Sequence, residues 1–426
     1  MTRNTSPLKI DIQSEIGELN AVLLHTPGAE VENMTPKMAQ RALYSDILNL
    51  SIAQEEYEQL RGVLSGIAKV YTVNDLLVKV LEDDKQRRNL LGKICVMENV
   101  TDYFETLMDM SSKNLAKVLI EGLPAKINTL TSFLNEDYYA LFPLYNFYFT
   151  RDASVTIGNQ ALICKMANKV RARESLIMEA IYTGSGEFDC STINAYDYQP
   201  GNQQLYMEGG DILIARDDIL LIGNGMRTST IGIDMLAARL AKSSPEGRKH
   251  IIVQQLPHSP ESFIHLDMVF TLLDTDKCMV FEPLILGDNQ YQTVHITIEN
   301  GKVIKINSVA NILSVLKRLG MDLEPISCGG QSDEWDQERE QWHSGANFFA
   351  FAPGKVISYA RNTHTLAELE KHGFEIIPAW DVIEGKASIE GDKKCVVTIE
   401  GSELPRGGGG ARCMTMPLSR KSVKWE

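Results

Sequence analysis

Asp152-Ala153-Ser154-Val155-Thr156-Ile157-Gly158-Asn159-Gln160-Ala161-Leu162-Ile163-Cys164-Lys165 holds two short apolar runs on either side of a Gly158-Asn159-Gln160 turn. β-branched and apolar residues flanking a glycine turn predict a hairpin, and Arg171 to Tyr182 follows with helical spacing. The same order recurs. Asp211 leads Ile212 to Gly223 around an Arg216-Asp217-Asp218 turn, with a helix at Thr228 to Ala241. Asp267 leads Met268 to Glu282 around Asp274-Thr275-Asp276, and after a longer excursion a helix is expected at Ala310 to Leu319. Asn347 leads Phe348 to Tyr359 around Pro353-Gly354, with a helix at Thr363 to His372. The leading residues are spaced by 59, 56 and 80 positions, and a further 66 reach Cys413.

A fifth unit is built from the start of the chain, where Glu18 to His25 reads as a strand and Pro36 to Leu64 as helical, with Leu43, Ile47, Leu50, Ala53, Tyr57 and Leu60 in period. Five ββαβ-like units predict an α/β fold, a closed, pseudo-symmetric five-bladed propeller. From Asn74 to about Phe142 the texture changes to Leu, Lys, Asp and Glu at helical spacing. The organisation expected is thus a first propeller unit in residues 1–73, an inserted helical bundle in 74–142, and the remaining units in 143–426.

Composition bounds the function. Of 426 residues, 44% are hydrophobic and 23% charged, which fits a chain with a sizeable core rather than a disordered one. The net charge of -14, with no Lys/Arg block, argues against nucleic-acid and anionic-membrane partners and permits an acidic pocket for a small cation. The seven cysteines are scattered, odd in number and without a C-x-x-C pair, so at least one thiol is free and no paired zinc or dithiol site is expected. With neither a signal-like apolar segment after Arg3 nor a run of 18 apolar residues, a cytoplasmic enzyme is the expectation.

In a ring of repeats the strand termini converge on the axis, which makes Asp152, Glu208, His265, Asp267 and Cys413 the candidates for chemistry. His265 and Asp267, two apart, share one face if the strand is extended there. Glu208 and Asp211 flank the Gly209-Gly210 pair, where a turn with positive φ is expected to aim Glu208 inward. Four glycines, Gly407 to Gly410, precede Ala411-Arg412-Cys413 and permit close backbone approach to a ligand or a gate, and the neighbouring arginine is expected to favour the thiolate. A glycine-rich tail is commonly a linker, but Met414 to Leu418 is apolar, as an ordered strand is. One thiol, one histidine with a carboxylate partner and further carboxylates make a cysteine hydrolase site for a planar cation, with two aspartates gripping a guanidinium and holding its carbon against Cys413.

Asn146-Phe147-Tyr148-Phe149-Thr150-Arg151-Asp152, Met207 to Asp211, His265-Leu266-Asp267 and Gly410 to Arg420 closely resemble the motifs of the bacterial arginine deiminase family, and the C-terminal stretch is similar to its mycoplasma-type branch. The likeness starts at Glu15 to Leu19 and His25 to Gly28. It implies the fold of the guanidino-group-modifying superfamily, a five-bladed propeller with an inserted helical bundle, and hydrolysis of free L-arginine to citrulline and ammonium through an amidino-cysteine. It also implies roles: Cys413 as nucleophile, His265 as general acid and base, Glu208 as its orienting partner, and Asp152 and Asp267 as guanidinium ligands. Asn146, Arg171 and Arg227 are then expected to take the α-carboxylate and Phe149 to pack on the substrate's methylenes. No cofactor or metal is expected, and the assembly expected is a homodimer or higher homo-oligomer.

Many family members carry R-G-R-G-G-G-H-C before the nucleophile. Here the second arginine and the histidine are absent, which leaves open the residue that gates the pocket. Three other readings remain at this point. A related enzyme acting on agmatine, a methylated arginine or an amidino acceptor would share the central residues. A metal-dependent hydrolase would use Asp152, Glu208, His265, Asp267 and Cys413 as ligands, and a non-catalytic binding protein would use none of them chemically.

Overall fold

The computed structural model describes residues 6–42, 44–134, 138–199, 201–243, 247–331 and 333–425. Residues 1–5 and 426 at the ends of the expected units, and Leu43 of the helical stripe, lie outside them. Within 152–165, Ser154–Ile157 and Gln160–Ile163 pair antiparallel, and Gly158 turns the chain with φ +56. Helix Ala172–Gly184 follows, and Ser191–Asn194 then returns parallel to Gln160–Ile163.

That hairpin, helix and parallel strand recur in four further sheets. Ile212–Arg216 and Ile219–Asn224 are followed by helix Thr230–Ser243 and strand Arg248–Gln255. Phe270–Leu272 and Lys277–Val280 are completed by helix Ile312–Arg318 and Glu324–Ser327. Phe349–Ala352 and Lys355–Tyr359 precede helix Thr363–Lys371, and Cys395–Ile399 inserts between Lys355–Tyr359 and Glu375–Pro378. The fifth sheet joins the two ends of the chain: Met416–Arg420 pairs antiparallel with Leu19–Leu24, which runs parallel to Lys69–Thr72. These are separate sheets among the described residues, not one closed sheet.

The long excursion after the third hairpin has a specific destination. Thr293–Glu299 and Lys302–Val309 cross back and extend the second sheet beyond Arg248–Gln255. Ile219–Asn224 lies inside that sheet and is covered on both faces. Ile219 and Leu221 enter one core, Leu220 and Ile222 another, which is why the run is continuously apolar. Each such side chain, fully buried, stabilises by roughly 1.5–3 kcal/mol, more than the strand propensity of any one residue.

The helical run expected over Pro36 to Leu64 is broken into Pro36–Arg41 and Leu50–Ile67. Asn49 starts the second helix by accepting a hydrogen bond from the Ile52 amide, while Tyr44 turns inward and donates to the Tyr145 carbonyl at 2.6 Å. Buried Glu56 on this helix accepts from the backbone amides of Ser402, Glu403 and Leu404, tying down the segment before the glycine run. Helices Val73–Glu82, Asp84–Glu98, Phe104–Met108 and Ser112–Glu121 fill most of the 74–142 region. Thr72, Asp83 and Ser111 cap three of them, and Leu77, Leu81, Leu115 and Leu119 join the core shared with the 154–163 hairpin.

Candidate active site

The residues that lead the four hairpins and the strand Met416–Arg420 meet. Asp152 precedes the first hairpin, Asp211 the second, Asp267 the third, Asn347 the fourth and Cys413 the strand, and all five are buried. Two of the local expectations need correction. His265 and Asp267 do not lie on a strand: His265 is extended, but Leu266–Met268 is a 3-10 turn and the strand starts at Phe270. The turn sends the two side chains to different partners, His265 to Glu208 and Asp267 to Arg412. Nor do Gly209 and Gly210 adopt positive φ, since Gly209–Asp211 is also a 3-10 turn. Glycine is needed there for proximity: a Cβ on Gly210 would stand 2.4 Å from the Nδ1 of His265.

The Nε2 of His265 lies 3.0 Å from Glu208 Oε2, and the Ala167 amide donates to the other oxygen at 3.0 Å. Burial pushes the Glu208 carboxyl up, but Arg227 and His265 outweigh it and hold it at about 2. Burial likewise opposes a charge on His265, yet Asp152, the Glu208 hydrogen bond and Asp211 raise it to about 9. At neutral pH the imidazole therefore carries a proton on both nitrogens. Nδ1, 3.7 Å from Asp152 Oδ1, has no hydrogen-bond partner. Burial raises Asp211 to about 7, and its carboxyl accepts from the Leu266 amide, fixing the residue next to the histidine.

Cys413 Sγ lies 3.6 Å from Asp267 Oδ2 and 3.2 Å from the side-chain nitrogen of Asn347. The expectation that Arg412 favours the thiolate is overturned. Burial, Asp267 and Asp152 raise the thiol well above its ordinary value, and Arg412 is a minor opposing influence. The reason is geometric: the Arg412 guanidinium turns from the sulfur to Asp267 at 2.8 Å, Glu15 at 3.0 Å and the Ile212 carbonyl at 2.7 Å. Asp267 thus spends one oxygen on Arg412 and keeps Oδ1 unpartnered, as Asp152 keeps its Oδ1.

Asn146, Phe149, Asp152, Arg171, Arg227, His265 and Cys413 line one cavity, closed over by Gly407 to Gly409. A Cβ on Gly409 would stand 2.5 Å from the Phe149 ring, so only glycine lets this loop rest on the aromatic. The cavity holds about 20 Å³, room for roughly one water. Arg171 helps keep it small: its guanidinium bonds Asp152 Oδ2 at 2.7 Å and Glu174 at 2.8 Å and donates to the Asn146 carbonyl. Arg227 lies 3.5 Å from Glu208 and also borders a second cavity of about 50 Å³ that reaches Ser45, Trp342 and Arg406. At this rim Arg406 pairs with Asp46, and its carbonyl accepts from the Ser45 amide at 3.0 Å.

Asp152, Glu208 and His265 are the one group of metal-ligand type among the described residues. One ligand atom from each lies within 4.8 Å of the others, while the nearest contacts use opposite ring nitrogens, Asp152 at Nδ1 and Glu208 at Nε2. Glu15, Arg412 and Asn347 were not among the sequence-derived site residues. Glu15 opens the Glu15 to Leu19 motif, Arg412 stands where the family pattern departs, and Asn347 leads the fourth repeat, so each had a signal.

Residues 40–420 match the family model described as arginine deiminase. An arginine deiminase of Bacillus cytotoxicus is 34% identical, the match covering 97% of this chain and 99% of the relative. One from Streptococcus uberis is 33% identical over 99% of this chain and all of its own. Among solved structures, SxtG, an amidinotransferase from Microseira wollei, aligns over 98% of both chains with TM-score 0.53 at 14% identity. The N-terminal domain of ArgZ, a cyanobacterial arginine dihydrolase, aligns over 95% of this chain and 99% of its own with TM-score 0.51 at 14% identity. These two share the mixed α/β fold with this chain.

Proposed function

The chain belongs to the arginine deiminase family, and from that premise we infer that its pocket binds the guanidinium of free L-arginine and hydrolyses it to citrulline and ammonium. One observation carries the assignment of residues: three buried polar atoms without hydrogen-bond partners, Asp152 Oδ1 and His265 Nδ1 from residues that line the cavity with Cys413, and Oδ1 of Asp267, whose other oxygen lies 3.6 Å from the Cys413 sulfur. Two free carboxylate oxygens suit the N–H groups of a planar cation, and leaving them unmatched is costly.

Cation binding also resolves the state of the nucleophile. Burial foremost, and then the charges of Asp267 and Asp152, keep the Cys413 proton on. A guanidinium between the two carboxylates cancels their share and adds a positive charge beside the sulfur, which favours ionisation when substrate arrives, the proton leaving to solvent. The thiolate adds to the guanidinium carbon. His265, already protonated, gives its Nδ1 proton to the departing nitrogen, ammonia leaves, and an amidino-cysteine remains. The neutral imidazole then takes a proton from water as its oxygen attacks that carbon, and the C–S bond breaks as the remaining hydroxyl proton passes to solvent, giving citrulline and the thiolate. Glu208 holds the ring and stabilises the imidazolium.

Asn146, Arg171 and Arg227 are assigned to the α-carboxylate and Phe149 to the methylenes. For Arg171 this requires release from Asp152 as the substrate cation takes its place. Agmatine lacks the carboxylate, so turnover of arginine should exceed that of agmatine by about 10²-fold or more in kcat/KM. Arg227→Ala should narrow the gap by lowering the arginine value, read as citrulline and ammonium released. Equal use of both substrates by the wild type would overturn the assignment to free arginine.

We further propose that the five sheets close as a five-bladed ring, with units in residues 1–73 and 143–426 and a helical insertion in 74–142. The convergence of the five leading residues and the sheet shared by the two chain ends support it. The seven free thiols support a reducing, cytoplasmic setting. The proposed assembly is a homodimer or higher homo-oligomer.

A further inference from the structure

Asn347 is buried, and each polar group of its amide is used. Its Oδ1 accepts from the Arg412 amide at 2.9 Å. Its Nδ2 donates to the Asp267 carbonyl at 3.2 Å and to Cys413 Sγ at 3.2 Å, with Met268 Sδ a longer contact at 3.7 Å. A backbone N–H only donates and a carbonyl only accepts, so these two partners fix which end of the amide faces the sulfur. A Cβ on Gly410 would stand 2.6 Å from Asn347 Oδ1, so the loop before the nucleophile is pressed against this side chain. Asn347 also touches each half of the site, the third repeat through the Asp267 carbonyl and the fifth through Arg412 and Cys413.

We propose that Asn347 is a positioning residue for the nucleophile: its amide N–H holds the Cys413 sulfur in place and stabilises the thiolate by an N–H···S hydrogen bond. This rests on the arginine deiminase reading and adds a donor to it. The reacting sulfur otherwise faces carboxylates, Asp267 at 3.6 Å foremost, and every arginine close by is engaged with an acid. Asn347 supplies a neutral donor on the sulfur itself. A neutral amide does this without competing with the substrate cation for Asp152 and Asp267, as a lysine or arginine at this position would.

The test uses the full-length protein with Asn347→Asp and Asn347→Ala. Asp keeps shape and can still accept from the Arg412 amide, but it replaces the amide donor with a carboxylate. Three quantities are read: kcat and KM for citrulline formation, the thermal unfolding midpoint, and the rate of Cys413 alkylation by iodoacetamide against pH, followed on the Cys413 peptide by mass. A hydrogen bond to a charged group predicts a kcat lower by about 10- to 100-fold. KM should change little, and the alkylation profile should move to higher pH in both variants, with Asn347→Asp unfolding close to the wild type. Two results overturn the proposal: variants with wild-type kcat and alkylation profile, or variants that lose kcat with an unmoved profile, which assigns Asn347 to loop packing alone. The alkylation arm needs no substrate. A wild type that forms no citrulline from arginine would instead refute the underlying reading.

Discussion

Cys413→Ala should leave no measurable citrulline, a loss of about 10⁴-fold or more, because the only path around the stable guanidinium is the covalent one. The proposed guanidinium ligands do not depend on the sulfur: Asp152 leads the first hairpin, and Asp267 is held by Arg412. The variant should therefore still bind arginine, seen as a rise in thermal midpoint with added substrate. Cys190, half-buried where the other six cysteines are buried, should tolerate serine with turnover unchanged. Citrulline formation by Cys413→Ala at even a hundredth of the wild-type rate would remove the thiol from the mechanism.

Asp267→Asn should act in two opposite directions. Turnover should fall by about 10²- to 10⁴-fold, because Oδ1 no longer offers a charged acceptor to the guanidinium. The free thiol, in contrast, should become more reactive. Apart from burial, Asp267 is the foremost group raising Cys413, so its removal lowers the thiol and more thiolate is present at neutral pH. Arg412 keeps Glu15 and the Ile212 carbonyl, which limits the loss of stability. Alkylation of Cys413 at pH 7 should therefore be faster in Asp267→Asn than in wild type while citrulline formation is slower. A variant slower in both would show that Asp267 supports the sulfur instead of opposing its ionisation.

The repeat was legible because each hairpin is local: an alternating apolar pair, a polar turn and a leading residue can be read within about 15 positions. The helices were legible for the same reason, to within a few residues at their ends. The Thr293–Glu299 and Lys302–Val309 hairpin was not, since nothing in its sequence says that it joins the sheet before its own. The break before Leu50 escaped because Leu43, Ile47 and Leu50 keep helical spacing while Asn49 caps a new helix.

The site divides along the same line. Asp152, Glu208, His265, Asp267 and Cys413 lie in short motifs, which is why they could be named as candidates from the sequence. The partners of those residues were missed, because Arg412 to Glu15 and Asn347 to Cys413 are contacts between distant segments. The sign of the Cys413 shift was misread for that reason: adjacency in sequence put Arg412 beside the thiol, whereas its guanidinium serves Glu15 and Asp267.

The covalent step is the centre of the account and is open to direct observation. Wild-type protein turning over arginine, quenched in acid and digested, should yield the Cys413 peptide heavier by the mass of arginine less one ammonia, since only ammonia has left, with the adduct absent from Cys413→Ala and from enzyme quenched without arginine. An unmodified Cys413 peptide at every quench time, with citrulline accumulating at full rate, would contradict it.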